Sequence, residues 1–265
     1  MNMEVASVGV PYCSVLISEI LCGMPGSTQS VLGRSNDGEL YVVKFKRLGM
    51  ANVLANEYLG SLLLDSLGIA VPRIAIASLA PFLLHRSTVM PCVNAGYSAE
   101  RRLCFASRLI GDRHNRPLDH IPDARRPFIE NKFDLVDTAI FDLWANNHDR
   151  RQHVYEMGPE GSYRAYAIDN GSLFGGPRWN MCDTGKGYRE WERATGCVFD
   201  SFLRARVRAF QRCIPTLLAK ALDLVPPEWM ETDPRMLSEI LLWRSEQLQS
   251  ICDRLQEQHA RGRDQ

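Results

Sequence analysis

Apolar and polar positions alternate along the first part of the chain and recur at helical spacing along most of the rest. Between Val15 and Lys46 the alternation predicts three strands of a small antiparallel sheet, Ser14 to Leu21, Ser30 to Arg34 and Glu39 to Lys46, with Asn36-Asp37-Gly38 as the turn between the last two. The stretch from Gly23 to Gln29 joins the first pair. Its two glycines allow backbone N–H groups to approach an anion such as phosphate, although an ordinary hairpin turn has the same look. From Asn52 to Leu67 the period lengthens, with Leu54, Tyr58 and Leu62 on one side, Val53, Leu59, Leu63 and Leu67 beside them, and Gly68 as the stop. Glu57 is acidic in this apolar run. Periodicity leaves two placements open for it, a face in water or a buried position beside a cation, for which Lys44 is the natural candidate.

Residues 71–77 and 82–92 read as further strands, and residues 103–110 as a helix or a strand. The segment from Ser98 to Pro127 is rich in Arg, Asp, His and Pro, and this shift in composition marks the expected boundary between two lobes, 1–97 and 98–265. Phe133, Val136, Ile140, Leu143 and Trp144 predict a core helix over about 127–144 that delivers the loop Asn146-Asn147-His148-Asp149. A hairpin follows, His153 to Met157 and Tyr163 to Ile168, turning at Gly158-Pro159-Glu160-Gly161. From Phe202 the spacing predicts helices broken at Pro215, then a last helix over about 234–258 and a fraying polar tail.

Composition narrows the picture a little. The chain has 265 residues, enough for one large core or two lobes around a cleft, and a 45% hydrophobic content ordinary for a globular protein. Basic and acidic residues number 31 each, so no global field draws it to nucleic acid, and direct nucleic-acid binding is not expected. Neither a basic leader with an apolar stretch nor a membrane anchor is seen, so a soluble, cytoplasmic protein is expected. Eight cysteines lie scattered without CxxC or Cys–His metal spacing and read as buried free thiols. Dispersed tryptophans (Trp179, Trp191, Trp229, Trp243) read as packing residues, and Arg101-Arg102 and Arg125-Arg126 as solvated loop arginines.

Three segments stand in the order that phosphoryl transfer from ATP requires: Tyr41-Val42-Val43-Lys44-Phe45, Asn147-His148-Asp149-Arg150-Arg151 and Ala167-Ile168-Asp169-Asn170-Gly171. A cation holds the phosphates that stay behind, a carboxylate meets the acceptor hydroxyl, and a second carboxylate carries metal. Together with Gly26-Ser27-Thr28-Gln29, Asn56-Glu57-Tyr58-Leu59-Gly60 and Phe141-Asp142-Leu143-Trp144, these segments resemble the HipA-like kinase family, in its compact branch with the kinase core alone. The resemblance runs from about Gly23 to Gly176.

It implies an α+β, two-lobed protein-kinase-like fold, with a small antiparallel-sheet N-lobe carrying one helix and a mainly helical C-lobe. It also implies ATP and Mg2+ as cofactors and a serine or threonine hydroxyl of a protein as acceptor, with lipid or small-molecule phosphorylation and a nucleotide-binding pseudokinase as alternatives. By position, Gly26, Ser27, Thr28, Gln29, Lys44 and Glu57 would serve ATP, with Glu57 orienting Lys44. Asp149 would be the catalytic base and Asp169 the magnesium ligand. The family's phosphate loop often carries a phosphorylated serine, for which Ser27 and Ser30 are candidates, and larger relatives often pair with a DNA-binding antitoxin. One position departs from the pattern: such kinases usually carry a metal-binding Asn five residues after the catalytic Asp, and here that residue is Val154. Gln152 and His153 are the substitutes within reach, the amide oxygen being the better match for magnesium.

Overall fold

A computed structural model of the chain describes residues 14–24, 30–46, 50–80, 82–83, 103–111, 116–181, 191 and 200–263. Five strands, β1 (Ser14–Gly23), β2 (Val31–Ser35), β3 (Leu40–Lys44), β4 (Ile74–Leu79) and β5 (Cys104–Arg108), close into a barrel in the order β1-β2-β3-β5-β4. The turn between β2 and β3 contains Gly38 at φ 88°, a conformation that favours glycine. All neighbours are antiparallel except β1 and β4, which run parallel and close the barrel. A purely antiparallel sheet was expected. The parallel pair arises because the chain leaves β3 through helix α1 (Val53–Ser66) and returns along β1, a crossover that short turns cannot make.

The strand period of two sorts residues between the barrel and the rest of the core. Ala75 and Ala77 of β4 and Cys104 and Ala106 of β5 point inward to Val15, Ile17, Val31, Tyr41 and Val43. Their small size leaves room for Tyr41 in a narrow barrel. Ile76 and Phe105, one residue out of phase, instead join α1 and the helical half in one large cluster. The expected boundary after residue 97 therefore cuts the sheet, since β5 pairs with β3 and β4 at residues 104–108. Sequence composition changes at 98, but strand pairing continues to Arg108.

Every residue of α1 except Asp65 is buried, so the helix has no water face on which Glu57 could sit. A helix apolar all round is a core helix, and α1 lies between the barrel and the helices beyond. Those are α2 (Lys132–Trp144), α3 (Asp200–Leu222) and α4 (Pro234–Arg263). Pro215 lies inside α3 and does not break it, because Ile214, Leu217 and Leu218 on either side are buried in the common core. Helix α2 starts at Lys132, after a 3-10 turn at Asp123–Phe128, and β6 (Gln152–Met157) pairs with β7 (Tyr163–Ile168) as the expected hairpin. The possible strand over 82–92 lies outside the described residues except Phe82 and Leu83, and neither of those is in a strand.

Among the described residues no helix is long and apolar enough to cross a membrane. Cys104 and Cys252 are buried free thiols as expected, whereas Cys22 is exposed. Trp179, Trp191 and Trp229 are buried, but Trp243 is 57% exposed.

Gly60 marks the tightest contact of α1. A Cβ there would lie 2.9 Å from Asn170 Cβ and closer still to Leu173 Cδ1, so the glycine lets the helix seat on the chain just after β7. Gly60→Ala gains about 1 kcal/mol of helix propensity but overpacks a filled site, at about 1–3 kcal/mol. The clash wins: thermal unfolding of Gly60→Ala should show a midpoint lowered by a few degrees, and a raised midpoint would mean that the site has slack.

Candidate active site

Lys44 is the last residue of β3, and its strand position aims the ammonium out of the barrel toward α1. Its Nζ donates to Glu57 Oε1 at 2.6 Å and to Asp169 Oδ1 at 2.9 Å, so the expected pair with Glu57 is present and a second carboxylate completes it. Burial pushes the Lys44 amine down, but the Glu57 and Asp169 carboxylates outweigh it and hold its pKa above the usual lysine value. Burial raises the Asp169 carboxyl, and Lys44 more than reverses this, so Asp169 stays below the ordinary range and ionised. Burial pushes the Glu57 carboxyl up despite Lys44 and the Asn170 N–H, and two carboxyl groups meeting one ammonium make a setting suited to a divalent cation.

Asp169 follows directly on β7 and adopts φ 61°, a left-handed conformation that aspartate tolerates better than most residues. The turn after it is fitted to α1. Asn170 N–H donates to Glu57 Oε2 at 3.1 Å, so Glu57 spans the lysine and the backbone after Asp169. A Cβ on Gly171 would lie 2.9 Å from Glu57 Oε1. Asn56 donates to the carbonyls of Gly171, Leu173 and Gly176 and accepts from Trp179 Nε1 at 2.7 Å.

Helix α2 delivers the second carboxylate-bearing loop. Arg244 of α4 donates to the carbonyls of Leu143 and Trp144 at 2.6 and 2.7 Å, satisfying acceptors that a helix end leaves free. The loop is then zipped to the turn after Asp169 through His148 N–H to Ser172 O at 3.0 Å, Phe174 N–H to Ala145 O at 2.7 Å and Gly175 N–H to Asn146 O at 3.1 Å. Asp149 stands exposed at its tip, its Oδ1 accepting the local Arg150 N–H at 2.7 Å.

Beneath the loop lies a group that the sequence patterns did not single out. Arg151 is buried and donates to both oxygens of Asp142, to Ile168 O at 3.1 Å and to Asn170 Oδ1 at 2.6 Å. Asn170 Nδ2 in turn donates to Ser61 of α1 at 2.9 Å. The signal was available: Asp142 is a carboxylate in an apolar helix, as Glu57 is, and buried carboxylates require a cation.

The substitutes for the missing Asn separate cleanly. Gln152 opens β6 and its Nε2 donates to Asp169 Oδ2 at 3.0 Å, so it sits with the proposed metal ligand. His153 faces the other side of the strand, its ring near Tyr155, its Nε2 buried without a hydrogen-bond partner among the described residues, and its pKa pushed down to about 3 by burial, Arg151 and Arg126. It does not join Asp169, because adjacent strand residues face opposite ways. Val154 shares the Gln152 face by register but offers no donor atom. Among the described residues no three His, Cys, Asp or Glu side chains are grouped to hold a metal ion. Gly26, Ser27, Thr28 and Gln29 lie outside the described residues. Ser30 is buried, with its carbonyl accepting Met24 N–H at 2.7 Å.

No curated protein matches the chain significantly. Among solved structures, a Golgi casein kinase aligns with TM-score 0.54 at 15% identity, over 96% of this chain and 74% of that one. The Golgi casein kinase with Mn/ADP bound aligns with TM-score 0.54 at 14% identity, over 93% and 74%. The Helicobacter pylori proinflammatory kinase CtkA aligns with TM-score 0.52 at 13% identity, over 91% and 95%. At such identities the likeness establishes a kinase-like fold. The family model described as HipA-like kinase matches residues 17–158, more than half of the sequence, and the chain belongs to that family.

Proposed function

We propose that the protein transfers the γ-phosphoryl group of ATP to the hydroxyl of a serine or threonine in another protein. The observation that carries this reading is the cluster of buried Lys44 and Glu57 with half-buried Asp169, set beside the exposed Asp149 loop. Nucleotide would lie between the barrel and the helical half. Lys44, kept charged and aimed by Glu57, would hold the phosphates that remain on ADP. Asp149 would accept the proton of the acceptor hydroxyl as its oxygen bonds to the γ-phosphorus and the bond to the bridging oxygen of ADP breaks.

A divalent ion would be held by Asp169 and the Gln152 amide oxygen, and would neutralise charge on the phosphates. The Mn/ADP complex of the Golgi casein kinase is consistent with nucleotide and divalent metal here. A second reading, a pseudokinase that binds nucleotide without transfer, is favoured by Val154 alone.

Asp149→Ala should lower turnover by about 10²–10⁴-fold while leaving ATP affinity within a factor of two, as read by radiolabel transfer and calorimetry on one preparation. Loss of ATP binding with that variant would remove Asp149 from the role of base. Asp169→Asn should weaken metal-dependent ATP binding, and equal affinity in both proteins would refute the assignment.

Gln152→Ala should raise the magnesium concentration needed for half-maximal transfer. Val154→Asn should leave that requirement nearly unchanged if Gln152 supplies the oxygen, or lower it if the ligand is missing. A wild-type protein that binds ATP but transfers nothing at any magnesium concentration, to offered proteins or to itself, would establish the pseudokinase reading.

A further inference from the structure

Helix α1 begins at Asn52, whose side chain does not cap its own helix. The residue sits at φ 53°, a left-handed conformation open to asparagine, and its side chain turns to two distant parts of the chain. Its Nδ2 donates to Pro177 O at 3.1 Å and to Thr232 Oγ1 at 2.9 Å, and its Oδ1 accepts Glu231 N–H at 2.7 Å. One amide, 1% exposed, thus ties the helix that carries Glu57 to the chain beyond Asp169 and to the connector between α3 and α4.

The connector makes three further contacts with the same region. Trp229, in the 3-10 turn Pro227–Trp229, packs edge-on against Tyr58, the neighbour of Glu57, with ring centroids 5.7 Å apart. Its indole N–H donates to Leu103 O at 3.1 Å, at the entry to β5. Lys46, two residues beyond Lys44, donates to Glu228 O and pairs with Glu231, both at 2.9 Å. The exit of β3, the start of α1 and the entry of β5 are therefore all fastened to one short segment.

We propose that the connector, residues 223–233, is a built-in brace that holds α1 in the position where Glu57 engages Lys44, with Asn52 as its chief positioning residue. The inference rests on the nucleotide role given above to Lys44 and Glu57. In kinases the lysine–glutamate pair is one of the parts that control elements put in place. Here, swinging or rotating α1 would unpair a buried amide and three partners at once, each unsatisfied group being costly. The brace is covalently part of the chain, so the pair forms without an activating partner.

The test uses Asn52→Gly, which keeps the left-handed backbone accessible and removes all three bonds. Hydrogen exchange of the full-length protein should show amides of residues 53–60 exchanging at least tenfold faster than in the wild type, with α2 and α4 unchanged. The kcat/KM for ATP should fall about tenfold in the wild-type background and less than twofold in a Glu57→Gln background, since the brace acts through Glu57. Thr232→Val, which removes one bond at the surface of the junction, should give the same pattern at smaller amplitude and serves if Asn52→Gly does not fold. Unchanged exchange in α1, or equal activity losses in both backgrounds, would overturn the brace. Unchanged kcat/KM for Glu57→Gln alone would instead refute the role assigned to Glu57, while the exchange measurement still decides the brace.

Discussion

The ammonium of Lys44, buried between Glu57 and Asp169, is the interaction on which the rest of the arrangement turns. Removing these charges from water costs several kcal/mol per ion, and the mutual attraction does little more than return it. An apolar trio of similar volume would hold β3, α1 and β7 together at least as well. What the ionic trio adds is direction. Three elements from the barrel, the central helix and the hairpin can meet only where nitrogen and oxygen come within bonding distance.

The same economy of buried polar groups governs the interior around it. Asn56 holds three carbonyls of the turn after Asp169, Arg151 joins α2 to that turn through Asp142 and Asn170, and Asn170 reaches Ser61 on α1. Turns seldom run through a core, because their backbone groups lack ladder partners. Here side-chain amides and one guanidinium supply those partners to an irregular segment. Position, rather than stability, is the property such a network confers, since a half-satisfied version would be worse than an apolar core.

Local chemistry explains which parts were legible in the sequence. Lys44, Glu57, Asp149 and Asp169 stand out because each is a charge set in or next to an apolar run, and the order of the segments follows the order of the chemistry. The β2–β3 hairpin and the β6–β7 hairpin were visible from their turns. The parallel closure of the barrel and the assignment of Cys104–Arg108 to it were not, since pairing partners forty or more residues apart leave no periodic trace. Pro215 misled for a related reason: helix propensity is local, and the burial of Ile214, Leu217 and Leu218 that overrides it is not. Asn52 carried no signal at all, because a helix-initiating asparagine looks the same whether it caps its own helix or reaches Thr232.

Gln152 shows how the departure at Val154 can be accommodated within the fold. Side chains two apart on a strand share a face, so position 152 looks toward the same region as position 154, one step nearer to Asp169. Glutamine carries one methylene more than asparagine, and from the start of β6 that length brings its amide to Asp169 Oδ2 at 3.0 Å. In this arrangement the amide N–H donates to a carboxylate that shares a single ammonium with Glu57. A half-turn of the amide about its last bond exchanges nitrogen for oxygen, which withdraws the donor from Asp169 and presents a hard ligand in its place. The bond to Asp169 and ligation by Gln152 thus make opposite demands on one amide. Under the proposed function, the negative charge at Asp169 would be met by the hydrogen bond before the ion arrives and by the cation afterwards, with no backbone movement between them.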